Sequence, residues 1–516
     1  MANTKTIARN VGWFGIENAV GLIVTTFTSI AIARTLGPSK MGYVIYVNWI
    51  ASIVSSLGSL GIPDTTRKYM AEFLGKGDRG TARYIYFRTL MLQAVLATVA
   101  TAGILVWVLG DASPEFRVVS VLLVLSIWPA MVNFVSAQAN VATEKLSTNL
   151  PGSIWSMVAF FLAIGATVVF KWGLVGVGAS MLCMRSVDFA VRFFPTMIRI
   201  LGWETTHVQP AGLPGRMMSF AWQSVTSMVL ALIVWNRSEV VLLRYLCADI
   251  RQIAFYSVAF SLADRLLITS SVFGSAASAT IFAQYGRDKS RLPAITASSF
   301  RYLALTSIPL HFIAAALAVP ALLLLYGQQY DGAAVVVTLA PLLCMPKAFI
   351  GPVQSLLQSA ERQSIIIFAT VFAGVVDLSV AALLIPKHGA VGACLGSGAA
   401  QVMALGTMWA IAIHRYKVQL PWMQVAKITI ISTLASLTAH FVAVCFSPLW
   451  AVVLGGSAAL VVLFGLTYLM RVLEPEDHSR FHTLSSMLPK LIAGPVNAIL
   501  QMLIRASTAE ASEFGI

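Results

Sequence analysis

Residues Lys171 to Ser180 read KWGLVGVGAS, and residues Lys387 to Gly396 read KHGAVGACLG. Both stretches are Lys-x-Gly-x-Val-Gly, and both open a long apolar run. A short apolar phrase can recur by chance. Two further echoes in the same order favour an internal repeat. ARTLGPSK (33–40) is matched by LRYLCADI (243–250), and Thr143-Glu144-Lys145 by Ala360-Glu361-Arg362. The repeat predicts two halves, each of six spans, related by an axis along the membrane normal, as in many transporters.

The spans follow from composition. Of the 516 residues, 58% are hydrophobic and only 11% are charged, where a soluble domain carries about 25% charged residues. A crossing needs about 20 apolar residues. About fourteen such runs are present, near 11–33, 41–62, 84–109, 118–139, 150–170, 174–195, 219–243, 253–283, 299–326, 333–358, 364–386, 389–413, 424–446 and 449–470. The first is too long for a signal-peptide core and is expected to be retained. The connections are short, the longest lying near 63–83, 196–218 and 284–298.

The expected fold is therefore an all-α polytopic membrane protein. It has an N-lobe at 1–200, a C-lobe at 215–414, two additional spans at 420–472, and a cytoplasmic tail at 473–516 that reads as an interfacial helix, with a fifteenth span as the alternative.

The net charge of +14 is a topology signal rather than a nucleic-acid footprint. With the N terminus inside, only Arg34, Lys40, Arg117, Lys171, Arg244, Arg251 and Lys387 fall in outside loops. Arg185, Arg237, Arg265 and Lys347 fall within spans, and every other Lys and Arg lies inside. An even number of spans then puts both termini in the cytoplasm.

Charges at bilayer depth are costly and usually face a cavity or a partner. Arg185, Arg237, Arg265 and Lys347 suit the wall of a wet cavity that receives an anionic headgroup, because Arg grips phosphate with a planar fork and Lys offers a point charge. Glu17, Asp264 and Asp377 are candidates for proton or sodium coupling. The same groups could instead neutralise one another in helix packing. Asp188 is the foremost case, because Arg185, Asp188 and Arg192 share one helical face. No cofactor and no metal site is expected. The five cysteines form no CxxC pair, and the seven histidines show no ligand or triad spacing.

RNVGWFGIENAVG (9–21), ARTLGPSKMGYV (33–44) and RKYMAEFLGKGDRGTAR (67–83), with AFYSVAFSLADRL (254–266) and IPKHGAVGA (385–393), resemble the polysaccharide-biosynthesis flippases of the multidrug/oligosaccharidyl-lipid/polysaccharide exporter superfamily. The resemblance implies two six-helix lobes around a central cavity. It also implies alternating access that moves a polyprenyl-pyrophosphate-linked oligosaccharide from the inner to the outer leaflet for cell-surface polysaccharide assembly. Arg34, in the family's Arg-x-Leu-Gly-Pro turn, then has a structural role. The cavity residues are assigned by their depth rather than by a family motif.

Expected partners are the lipid-linked oligosaccharide, membrane lipids and a polysaccharide polymerase. The expected location is a bacterial inner membrane, with the chain working as a monomer. The alternative within the superfamily is a multidrug–cation antiporter, whose members usually have twelve spans. A glycan polymerase or glycosyltransferase is the rival from another class. It would need catalytic groups on a sizeable outer loop, and none is present.

Overall fold

The computed structural model describes the backbone of residues 4–111, 113–143, 148–205, 212–235, 238–360 and 362–473. Within these, the side chains at 4–20, 111, 227, 230–235, 272, 275–276, 278–280, 282–283 and 286–287 are not described. Arg237 and the tail after Leu473 therefore lie outside the described residues, and the side chain of Glu17 is not described. The described residues are helices and their connections, with no strand. The chain divides into two compact units, Met1–Ala254 and Phe255–Ile516.

The first unit opens with α1 (Thr4–Gly58), which is broken at Gly37 (φ 71°, ψ 172°) before Pro38. Proline excludes the helical conformation from the residue before it, and glycine alone takes this positive φ without strain. At 1.5 Å per residue an unbroken helix of this length would measure about 80 Å, far beyond a bilayer core of about 30 Å. Gly37 is thus where the two expected spans at 11–33 and 41–62 meet.

Next come α2 (Ile62–Gly75), α3 (Arg79–Asp111), α4 (Pro114–Leu125), α5 (Ile127–Ala142), α6 (Leu150–Val169), α7 (Gly173–Leu201), α8 (Leu213–Trp235) and α9 (Glu239–Leu246). The expected connection at 63–83 contains α2. Its charges mask a helical period: Ile62, Thr65, Thr66, Tyr69, Met70 and Phe73 are buried on one side, while Arg67 and Lys68 face out. Tyr69, Met70 and Phe73 join Ile85, Tyr86, Ile127, Met131 and Val135 in the core of this unit.

The second unit begins within α10 (Arg251–Arg287) and continues through α11 (Leu292–Ala316), α12 (Ala318–Tyr326), α13 (Ala334–Cys344), α14 (Ile350–Ser359), α15 (Gln363–His388), α16 (Ala390–Tyr416), α17 (Trp422–Val444) and α18 (Pro448–Leu469). The last two helices pair with each other, and α17 lies along α11. Ala435 and Ala439 of α17 and Ala459 of α18 are fully buried with Leu317. Small residues at that seam let the backbones approach where the hydrophobic effect gives no help.

Among the described residues, eleven helices are long and apolar enough to cross a membrane, or twelve if the bent pair Lys289–Ala316 and Ala318–Tyr326 is one span. That count differs from fourteen for two reasons. α1 carries two expected spans, and part of the span at 219–243 lies outside the described residues. Large apolar side chains are turned outward, as on Val106, Leu383 and Val461, each more than 70% exposed. A chain this apolar on its outside is a multi-pass membrane protein.

The repeated phrase is now intelligible. Each copy is the corner of a tight helical hairpin, α6–α7 in one unit and α15–α16 in the other. Gly173 (φ 56°) and Gly389 (φ 53°) hold matching left-handed positions. The next shared glycine is where the two helices meet. A Cβ on Gly176 would lie 2.5 Å from Thr167 Cγ2, and one on Gly392 would lie 2.5 Å from the Leu384 carbonyl carbon.

Candidate functional site

In the first unit, α7 carries a continuous polar stripe through an otherwise apolar bundle. Arg185, Asp188, Arg192, Thr196 and Arg199 recur at three- and four-residue intervals, which sets them on one helical face. α5 and α6 supply the answering groups.

Arg192 Nη2 lies 2.8 Å from Asp188 Oδ1. Asn133 Nδ2 donates to Asp188 Oδ2 at 2.7 Å. Arg192 Nη2 also donates to Ser153 Oγ at 2.9 Å. Gly152 makes the crossing of α6 over this pair feasible, since a Cβ there would lie 2.9 Å from both Arg192 Nε and Asp188 Oδ1. One turn further on, Asn140 Oδ1 accepts from Thr196 Oγ1 at 3.0 Å and from Arg199 Nη2 at 2.6 Å. Its Nδ2 donates to Asn149 Oδ1 at 2.8 Å. With both charges of the ion pair largely shielded from water, this network is high-stakes: fully satisfied it fixes the helices, and broken it leaves a buried charge.

Arg185 stands at the deep end of the stripe. It is half-buried and lines a cavity of about 110 Å³ with Asn48, Ser52, Ser55 and Ser126. Five hydroxyl- or amide-bearing neighbours, counting Ser56, make that pocket polar rather than apolar. The cavity, not lipid, receives this guanidinium.

In the second unit, Lys347 sits on a 3₁₀ turn, Met345–Phe349, set between α13 and α14. Proline at 341, 346 and 352 keeps this stretch from running as one straight helix. Lys347 Nζ lies 3.3 Å from Asp264 Oδ1 of α10, so a proposed headgroup cation and a proposed coupling carboxylate meet. Neighbouring Arg265 is half-buried, and its buried Nη1 finds no acceptor among the described residues. Asp377 of α15 is buried against α16. There Gly396 leaves it room, since a Cβ on Gly396 would fall 3.1 Å from Asp377 Oδ1. Asp377 is apart from the Asp264–Lys347 pair in sequence and helix alike.

Sequence reasoning reaches Arg185, Asp188 and Arg192 but stops before Arg199, and it misses Asn133, Asn140 and Asn149. The continuing three- and four-residue spacing from Arg192 through Thr196 to Arg199 is the signal for the stripe. The uncharged asparagines leave none, because one amide barely lowers the hydropathy of an apolar run. Among the described residues no group of three or more His, Cys, Asp or Glu could hold a metal ion.

The comparisons with known proteins agree with this architecture. Residues 31–335 match the model of a family described as polysaccharide biosynthesis protein. The succinoglycan biosynthesis transport protein ExoT of Rhizobium meliloti (strain 1021) is 24% identical over 340 residues. That match covers 64% of this chain and 64% of the relative, so just under two thirds of the relative's own length is spanned. Among solved structures, the lipid II flippase MurJ in an inward closed conformation superposes with a TM-score of 0.71 at 12% identity, covering 89% of this chain and 98% of that one. An inward-facing multidrug resistance transporter of the MATE family gives 0.62 at 13% identity, covering 79% and 96%. At such identities the two structures establish the fold alone, and with the matched family model covering more than half of the sequence, the chain belongs to the polysaccharide biosynthesis protein family.

Proposed function

We propose that the chain is a flippase. It moves a polyprenyl-pyrophosphate-linked oligosaccharide from the inner to the outer leaflet of a bacterial inner membrane, with both termini in the cytoplasm. The family supports a role in polysaccharide biosynthesis, and the fold supports transport by alternating access. The observation that carries the reading is the set of cations held at span depth. Arg185 faces a polar cavity. Arg265 adjoins Asp264, the carboxylate that Lys347 reaches, so two positive charges stand against one negative. Net positive charge inside a low-dielectric layer attracts an anion far more strongly than the same charge in water, and a pyrophosphate is the anionic part of the proposed cargo. Asp264 then releases Lys347 when the anion arrives, and protonation or sodium binding at Asp264 or Asp377 couples the cycle to an ion gradient. A polysaccharide polymerase would consume the product on the outer face.

The test is the double variant Arg265→Gln/Lys347→Gln in proteoliposomes carrying a fluorescent polyprenyl-pyrophosphate glycan. Translocation is expected to fall to the protein-free rate while the variant keeps its wild-type elution and thermal midpoint. Wild-type translocation by the double variant would refute the assignment. Efflux of cationic drugs by the wild-type chain, with no movement of the glycan, would establish the antiporter instead.

A further inference from the structure

A second basic cavity lies in the first unit, and Arg185 is not among its lining residues. Its volume is about 780 Å³, within the ~300–1,000 Å³ of ordinary small-molecule sites. Arg67 and Leu74 of α2, Arg79 at the start of α3, Val141 and Ala142 at the end of α5, and Arg199 near the end of α7 line it. Four helix ends thus converge on the face that the Lys and Arg bias assigns to the cytoplasm.

The three guanidiniums are unequally committed. Arg67 lies 3.2 Å from Asp64. Arg79 is exposed and makes no ion pair among the described residues. Arg199 gives Nη2 to Asn140, while its buried Nε meets no acceptor among the described residues. The wall is held in place from behind: Arg83 Nη1 donates to the Trp203 carbonyl at 2.6 Å, fixing the chain just past α7, and Trp203 closes one side of the cavity. Among the described residues, three guanidiniums and no carboxylate line a preformed hollow with a partly apolar rim.

We propose that this cavity binds a phosphate-bearing anion. The planar fork of Arg, presented from three helices, suits phosphate oxygens, which accept paired hydrogen bonds, better than it suits a halide. The ligand is either the headgroup of an anionic membrane lipid or a free phosphate or diphosphate, and the apolar rim of Leu74, Val141 and Ala142 admits both. The site stands whether or not the chain moves a glycan.

The purified full-length chain in detergent would be titrated with inorganic pyrophosphate by calorimetry. In parallel it would be examined by native mass spectrometry after exchange into nanodiscs of phosphatidylglycerol or of phosphatidylcholine. Pyrophosphate binding that Arg79→Gln weakens and Arg265→Gln/Lys347→Gln leaves intact indicates a soluble ligand in this cavity. Selective retention of phosphatidylglycerol without pyrophosphate binding indicates a lipid. In either arm Arg79→Gln and Arg199→Gln should each weaken binding about tenfold, as the loss of one charge-assisted hydrogen bond requires. Arg88→Gln, which removes a charge outside the cavity, should leave it within twofold. Arg79 has no ion pair to lose among the described residues, so its variant remains informative if Arg199→Gln fails to fold. Binding in neither arm, or equal weakening by Arg79→Gln and Arg88→Gln, overturns the proposal.

Discussion

Replacing Asp188 tests the α7 stripe at its most connected point. Its carboxylate lies 2.8 Å from Arg192 and accepts from Asn133 at 2.7 Å. The Arg192 and Asp188 side chains are only 13% and 19% exposed, so solvent replaces little of what is lost. Breaking a buried ion pair by removing one partner costs about 3–5 kcal/mol. Arg192 retains Ser153 Oγ and a longer bond to the Asn149 carbonyl at 3.4 Å, which places Asp188→Ala near the lower end, about 3 kcal/mol. Asp188→Asn keeps an acceptor for Asn133 and should cost less. Asp188→Leu/Arg192→Met removes both charges and should return to within about 1 kcal/mol of the wild type, since a buried pair contributes little beyond a well-packed apolar substitute. The assay is denaturant unfolding of the full-length chain in mixed micelles, followed by tryptophan fluorescence. A midpoint for Asp188→Ala indistinguishable from wild type, or a double variant as unstable as the single one, would refute the idea that this pair holds α5, α6 and α7 together.

The hairpin corners give a second expectation: Gly392→Ala should lower the thermal midpoint, because its methyl would sit 2.5 Å from the Leu384 carbonyl carbon, whereas Gly465→Ala, with open space around it, should be neutral. Overpacking of this kind costs about 1–3 kcal/mol. A third concerns pH. The hydrogen bond from Lys76, together with the charges of Arg216 and Lys76, holds Glu72 below its ordinary value of 4.5. Its ionised form is therefore favoured by folding, and its contribution is present above pH 4.5 and lost as pH falls through the lowered value. Limited proteolysis between α2 and α8, bridged by Glu72 Oε2 and Arg216 Nη2 at 3.1 Å, should speed up on acidification. In Glu72→Gln it should be fast at every pH, by a modest factor because the pair is largely exposed. A fourth pairs Lys347 with Asp264: Asp264→Asn should raise charged-maleimide labelling of a Met345→Cys variant, because Lys347 loses the carboxylate that holds it across to α10 at 3.3 Å. Unchanged labelling would show that the pair does not order the turn.

The sequence alone determined that this is a helical membrane protein, where most spans begin and end, and that one short phrase recurs. Those conclusions rest on solvent. An apolar run of about 20 residues has no alternative to crossing hydrocarbon as a helix, because each unsatisfied backbone group there is costly. The same additive reasoning located the charges in the spans. It could not say what they touch, since contact depends on which side chains distant segments bring together. Asn133 and Asn140 are inconspicuous letters in an apolar run until α5 packs on α7, and Arg79, Arg67 and Arg199 are ordinary loop or helix-end charges until four helix ends enclose one hollow. Gly176 and Gly392 carry the same lesson. The repeat was visible in the letters, but its cause, a helix corner too tight for a Cβ, belongs to packing. Hydropathy fixes the solvent of each segment, and close-packing alone fixes its neighbours.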